Sequence, residues 1–242
     1  MTMQSGMHIT PIIDLLRRDE DGNINLLNFI RAYPVSDYGR VGDSVFIKGE
    51  SNEMWTYISS DSRDDLERLG EKYLSETIYF AAIEDWMVPV LADGREIRGQ
   101  ICMIQYLLPE EVRLPEPTLQ FAPLTVADAE YVYENSIYRK YFSLDYVQDR
   151  IARGISAALR LQGQLIAWAI THDDGALGFL HVLPEHRRKG YGTQTTLSLA
   201  RRSRDRGKKP FAYIEEDNVR AIQLVRALGF VEQKRVCWLT LH

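Results

Sequence analysis

The residues best able to do chemistry in this chain of 242 residues lie in one short stretch, Pro184-Glu185-His186-Arg187-Arg188-Lys189-Gly190-Tyr191-Gly192-Thr193. Arg187, Gly190 and Gly192 stand in the spacing R-x-x-G-x-G. The stretch joins an apolar run at 177–183, read as a strand stopped by Pro184, to a helical pattern at 193–206 closed by Gly207. Glycines let the backbone bend and let a ligand come close. The first N–H groups of a helix have no internal acceptor and carry partial positive charge. The consecutive basic residues Arg187, Arg188 and Lys189 add to that field. The chemistry predicted is the binding of an anion such as a phosphate. No Gly-Lys-Ser/Thr follows, so this is not a Walker A loop. Gly190-x-Gly192-x-x-Thr195 lacks the third glycine of a dinucleotide fingerprint, and no suitable acidic residue lies ~20 positions on.

Other groups read more plainly. His172-Asp173-Asp174-Gly175 has metal-ligand residue types, but Asp-Gly is the requirement of a tight hairpin and no second ligand group accompanies it, so no metal is expected. Glu84-Asp85 sit at i,i+1 on a strand end and point apart. Arg201, Arg202, Arg204, Arg206, Lys208 and Lys209 read as a mostly solvated helix face. Cys237 reads as a buried strand thiol.

The elements that must hold the loop come from patterning. An apolar content of 45% with 26% charged residues describes an ordinary folded chain. No apolar run approaches the ~20 residues of a membrane span. Residues 1–10 lack a basic stretch followed by an apolar one, so no secretory signal is expected. Two cysteines are too few for a disulfide framework, and a reducing cytoplasm is the expected compartment. The net charge of -5 argues against a general nucleic-acid binder. Residues 116–242 hold 18 Lys/Arg against 14 Asp/Glu, whereas 1–115 hold 11 against 20. Pro109, Pro115 and Pro117 mark a seam between these parts. The expected division is an α+β domain at 1–117 and a second domain at 118–242.

The second half reads β-α-α-β-β-β-α-β-α-β, with strands at 120–124, 156–161, 164–171, 177–183, 211–214 and 236–241 and helices at 128–137, 144–152, 193–206 and 218–228. The first half reads as two short helices ended by Pro34, strands at 44–47 and 54–58, a helix started by the capping box Ser62-Arg63-Asp64-Asp65, and strands at 77–83 and 101–106. It contains no glycine-rich loop, no nucleophile elbow and no metal-ligand cluster.

Leu180-His181-Val182-Leu183-Pro184-Glu185-His186-Arg187-Arg188-Lys189-Gly190-Tyr191-Gly192 resembles the signature of the GNAT superfamily of acyl-CoA N-acyltransferases. Asp217-Asn218-Val219-Arg220-Ala221-Ile222-Gln223-Leu224-Val225-Arg226-Ala227-Leu228-Gly229-Phe230 is similar to that family's N-x-x-A-x-x-L-Y-x-x-L-G-F helix. The resemblance covers about residues 118–242, and its detail is closest to the glycine N-acyltransferase-like branch, in which the N-terminal half is a degenerate copy of the same mixed-sheet α+β fold. It implies an N-acetyltransferase that moves an acetyl or other acyl group from acetyl-CoA to a primary amine of a small molecule or amino acid, as a cytoplasmic monomer or homodimer. A protein or peptide N-acetyltransferase and a non-catalytic CoA-binding module are the alternatives. The resemblance also implies that backbone groups of Leu180, His181 and Val182 pair with pantetheine and that Arg188, Lys189, Gly190, Tyr191, Gly192 and Thr193 hold the pyrophosphate; some residues of the mostly solvated basic run are candidates to meet the 3′-phosphate. Asn218 either contacts the CoA arm or is a plain N-cap, and the His181 side chain faces either the acyl pocket or the core. The tyrosine that protonates the leaving thiolate in the family falls at Val225, so that acid is absent here. Tyr213 is a substitute candidate or a packing aromatic, and Glu185 is the candidate base or a surface carboxylate.

Overall fold

A computed structural model describes residues 9–136, 139 and 141–242. Residues 1–8, most of the segment read for a secretory signal, and Ile137, the end of the helix expected at 128–137, lie outside the described residues. The chain divides into two compact units, Met1–Cys102 with Val236–His242, and Met103–Arg235. The seam expected near 117 falls inside the second unit. The proline segment belongs wholly to the second unit, and the last seven residues return to the first.

The first unit runs through α1 (Thr10–Leu16), α2 (Ile24–Ala32), β1 (Val35–Val41), β2 (Ser44–Glu50), β3 (Met54–Ser59), α3 (Arg63–Leu69), β4 (Tyr79–Glu84), the single turn α4 (Val88–Leu91) and the start of β5 (Ile97–Leu107). β1 was not legible in the sequence. It alternates weakly and is largely exposed, so its apolar signal is faint. β1, β2 and β3 form an antiparallel meander, β3 lies parallel to β4, and β4 pairs antiparallel with Val236–Thr240 of the chain's final strand. Cys237, Leu239 and Leu241 are fully buried in the core under α3 and α4. Cys237 is not a thiol: it is disulfide-bonded to Cys102 across 135 residues, because β5 and the final strand bring their Cα atoms to 4.0 Å.

The second unit continues with α5 (Ala129–Glu134), α6 (Leu144–Arg153), β6 (Ser156–Leu161), β7 (Gln164–Thr171), β8 (Leu177–Val182), α7 (Tyr191–Asp205), β9 (Phe211–Ile214), α8 (Val219–Ala227) and β10 (Val231–Leu241), whose first residues belong here. β6, β7 and β8 form an antiparallel meander, β8 is parallel to β9 at Leu177↔Ala212, and β9 pairs antiparallel with the end of β5 over Ile104–Leu107. The strand expected at 120–124 is a single bridge between Ala122 and Ala158. One face of the sheet packs on α5 and α6 through Val132, Val147, Ile166 and Trp168. The other packs on α7 and α8 through Leu197, Ala200, Val225 and Phe230.

The arginines of α7 are not a solvated face. Arg201 donates to the carbonyls of Leu114 (2.8 Å) and Pro115 (3.2 Å), Arg202 to Phe121 (2.6 Å), and Arg204 to Val112 and Pro109 (2.5 Å each). An extended proline-containing segment cannot close its own hydrogen-bond ladder, so its carbonyls need outside donors. The guanidinium forks supply them. These three side chains therefore serve the connecting segment and not a 3′-phosphate.

Candidate active site

The loop is built by a strand that bends and a helix that starts without a cap. β8 carries a bulge: Trp168 pairs with His181 and Ile170 with Gly178, so Phe179 and Leu180 both stand opposite Ala169, with Phe179 at φ 52°. A positive φ at a phenylalanine is costly and persists only where packing holds it. Here the ring is held by Phe142 (4.8 Å), His172 (4.7 Å) and Tyr146 (6.0 Å). β8 and β9 pair only at Leu177↔Ala212, ahead of the bulge. Leu183 N–H donates to Ile166 of β7, so by alternation the peptide groups of Val182 and Leu180 face away from β7. Arg187 folds back and donates through Nε to the Val182 carbonyl at 3.0 Å.

Beyond β8, Pro184–His186 form one 3-10 turn and Arg188 takes φ 62°. Gly190 then caps α7 at φ 78°, with no side-chain cap and no acidic residue in the first turn. The first helical bond is Gln194 N–H to Gly190 O at 3.1 Å, so the N–H groups of Tyr191, Gly192 and Thr193 precede it and have no helical acceptor. α7 therefore begins at Tyr191, two residues ahead of the expected start, and places all three residues in its first turn. A Cβ at Gly192 would stand 3.7 Å from Leu224 of α8 and 3.8 Å from Val182 of β8. Both are ordinary contact distances, so a side chain beyond Cβ would have to project from the first turn of α7 toward these neighbours. Arg188, Lys189 and Gly190 are exposed, and Leu180 is 40% exposed. The donor set of three open N–H groups with two flanking cations fits a pyrophosphate.

The remaining sequence candidates fall at different depths. Asn218 is the N-cap of α8, its side chain accepting from Ala221 N–H at 3.2 Å. Val225 is buried in the core beneath that helix and offers no acid. Glu185 is exposed on the 3-10 turn. Tyr213 lies one residue past the last β8–β9 pair. Its hydroxyl atom is buried, and burial together with the Asp174 carboxylate raises its pKa well above 10, so it stays protonated. Asp174 forms the expected hairpin, accepting from Ala176 N–H at 3.0 Å. Yet it is only 3% exposed, and burial, reinforced by Asp173, pushes its carboxyl up to about 7. The sequence gives no sign of that burial, since Asp-Gly turns are ordinarily solvated. Among the described residues no group of three His, Cys, Asp or Glu side chains forms a metal site.

Residues 154–239 match the family model described as FR47-like protein. An X-ray structure of a Drosophila protein superposes with a TM-score of 0.80 at 19% identity, covering 97% of this chain and 95% of that one. A GCN5-related N-acetyltransferase from Kribbella flavida gives 0.58 at 14% identity over 90% and 93%. A tandem GNAT protein from the clavulanic acid biosynthesis pathway gives 0.54 at 14% identity over 98% and 96%. The chain thus has the mixed α+β fold of the GCN5-related N-acetyltransferases along nearly its whole length.

Proposed function

We propose that the protein is an acyl-CoA-dependent N-acyltransferase that uses acetyl-CoA and a primary amine, on a small molecule or amino acid, in one ternary complex. The observation that carries this reading is the uncapped, cation-flanked N-terminus of α7 at the end of a strand whose peptide edge is open. Tyr191, Gly192 and Thr193 N–H groups with Arg188 and Lys189 would hold the pyrophosphate. The Leu180 peptide group and the Val182 N–H, on either side of His181, would pair with the pantetheine arm as an added strand, while the Val182 carbonyl is already held by Arg187. The Leu180 N–H, directly past the bulge, is the donor for charge developing on the carbonyl oxygen. Bound acyl-CoA supplies the activated thioester. Glu185 is the carboxylate nearest the loop, open to water, whereas Tyr213 is turned inward. The family model over 154–239 and the likeness in fold to the Kribbella N-acetyltransferase and the clavulanic-pathway GNAT protein support the reading.

Calorimetric titration of the full chain with acetyl-CoA is expected to give micromolar affinity, about -8 kcal/mol. Thiol release with a panel of free amino acids, simple amines and peptides then identifies the acceptor class. Neither heat nor a thermal shift at millimolar acetyl-CoA would sink the reading.

A further inference from the structure

His181 carries a feature that neither the loop nor the packing requires. Its imidazole stacks on Trp168 with ring centroids 4.6 Å apart and planes 18° apart, and Tyr131 of α5 meets the same indole edge-on at 5.9 Å. The stack fixes the ring plane. Nε2 is nevertheless buried with no hydrogen-bond partner. A buried polar atom left without a partner destabilises the fold, a cost that a phenylalanine stacked on the same indole would not incur. An atom kept at that cost, one residue from the Leu180 peptide group and the Val182 N–H, both turned away from β7, points to a partner supplied from outside.

The surroundings keep the imidazole neutral. Burial, aided by the Arg187 guanidinium, holds His181 below its usual 6.5. Trp168 from β7 and Tyr131 from α5 bring no charge to the stacked side. On the loop side His186 lies against Tyr191, with rings 6.3 Å apart. At neutral pH the ring is therefore uncharged, and with its proton on Nδ1 it presents a lone pair at Nε2.

We propose that His181 is the catalytic base of the acyl transfer, its Nε2 accepting the proton of the attacking amine; this rests on the acyltransferase reading of the adjoining loop. As the amine nitrogen bonds to the acyl carbon and the carbon–sulfur bond breaks, the proton shed by nitrogen passes to Nε2. From there it passes to sulfur, leaving an amide, a thiol and neutral His181. The protonated ring is a stronger acid than ordinary imidazolium, so return of the proton to a thiolate of reference pKa near 8.5 is downhill. One side chain serves as base and then as acid, which accounts for a site that functions with valine at 225.

The test uses the full chain with acetyl-CoA as donor and glycine, benzylamine and lysine methyl ester as acceptor probes, following thiol release. His181→Gln is expected to leave acetyl-CoA affinity within twofold while lowering kcat about 100-fold. The acid limb of the kcat/KM profile, falling below pH 6.5, disappears with it, and added imidazole restores part of the rate in His181→Ala. Histidine NMR of the full chain should show one imidazole titrating below 6.5 that responds to acetyl-CoA and is missing from both variants. Thermal melting establishes that each variant folds, and His181→Asn replaces one that does not. A kcat within threefold of the parent with an unchanged pH profile overturns the proposal. So does a loss of rate matched by loss of acetyl-CoA binding, or an imidazole that ignores acetyl-CoA. A parent chain that binds acetyl-CoA and turns over none of the probes overturns the acyltransferase reading itself.

Discussion

Two helices of this protein follow equivalent strands and end up with opposite capacities. In each unit a three-stranded antiparallel meander feeds a helix, and the strand after that helix lies parallel to the third. α3 of the first unit starts at a serine: Ser62 Oγ accepts from Asp65 N–H at 3.3 Å, and Asp64 and Asp65 fill the first turn. Its N-terminus is satisfied from within and is electrostatically closed to anions. α7 of the second unit starts at Gly190 with no side-chain cap, no acid in the first turn and two cations before it. The strands ahead of them differ in the same sense. β3 pairs with β2 in unbroken register, while β8 is bulged at Phe179. A binding site at a helix start is thus made by leaving local needs unmet, and a half that meets its own needs has no donors to offer.

The contrast can be broken most severely at Gly192. Gly192→Val is expected to weaken acetyl-CoA binding at least 100-fold in calorimetry, because a branched side chain in the first turn of α7 occupies the position proposed for the pyrophosphate. The contacts near 3.7 Å that its Cβ makes are ordinary, so thermal melting should show a folded chain. Next in size is charge. Arg188→Glu with Lys189→Glu should weaken acetyl-CoA about tenfold at low salt and less at 0.5 M NaCl, since exposed charges are screened there. A salt-independent effect would mean that these residues act by shape. Ser62→Ala addresses the other helix: removing the cap should cost about 1 kcal/mol by denaturant unfolding, with acetyl-CoA affinity unchanged.

The smallest effect concerns pH and belongs to the second unit. The Asp174 carboxyl is raised to about 7, so the folded state keeps a proton that the unfolded chain gives up, and stability is lost as pH rises toward 7. His172 is lowered to about 4 by burial, so the unfolded chain gains a proton that the folded state refuses, and stability is lost as pH falls from 6.5 toward 4. Between pH 4 and 6.5 the two slopes oppose each other. The melting temperature of the parent should be nearly flat there, whereas that of Asp174→Asn should rise with pH.

Much of this was legible in the residues. The loop, the strand before it and the helix after it announce themselves through Pro184, Gly190, Gly192 and the apolar run at 177–182, and every strand of the second meander falls where alternation puts it. Glycine, proline and apolar periodicity act over a few residues, so a local reading catches them. The misses are non-local. Cys102 and Cys237 meet because a mid-chain strand and the last strand converge, and no spacing rule spans 135 residues. The α7 arginines look solvated until a proline segment some 81–95 positions earlier in the chain is laid against them. Tyr213, which the sequence leaves between a proton donor and a packing aromatic, turns its hydroxyl inward toward Asp174, a neighbour that no local pattern signals.

The late return of Val236–His242 to the first unit sets the order of events on the ribosome. Polypeptide emerges from one end only, and domains ordinarily fold as they appear. The first unit is denied that schedule. Until the final strand has been synthesised and released, β4 keeps an open hydrogen-bonding edge, and the core awaits Cys237, Leu239 and Leu241, each fully buried in the finished protein. An unpaired edge beside an incomplete apolar core is the usual seed of intermolecular pairing. Chains truncated or stalled before Val236 should therefore aggregate through their first hundred residues.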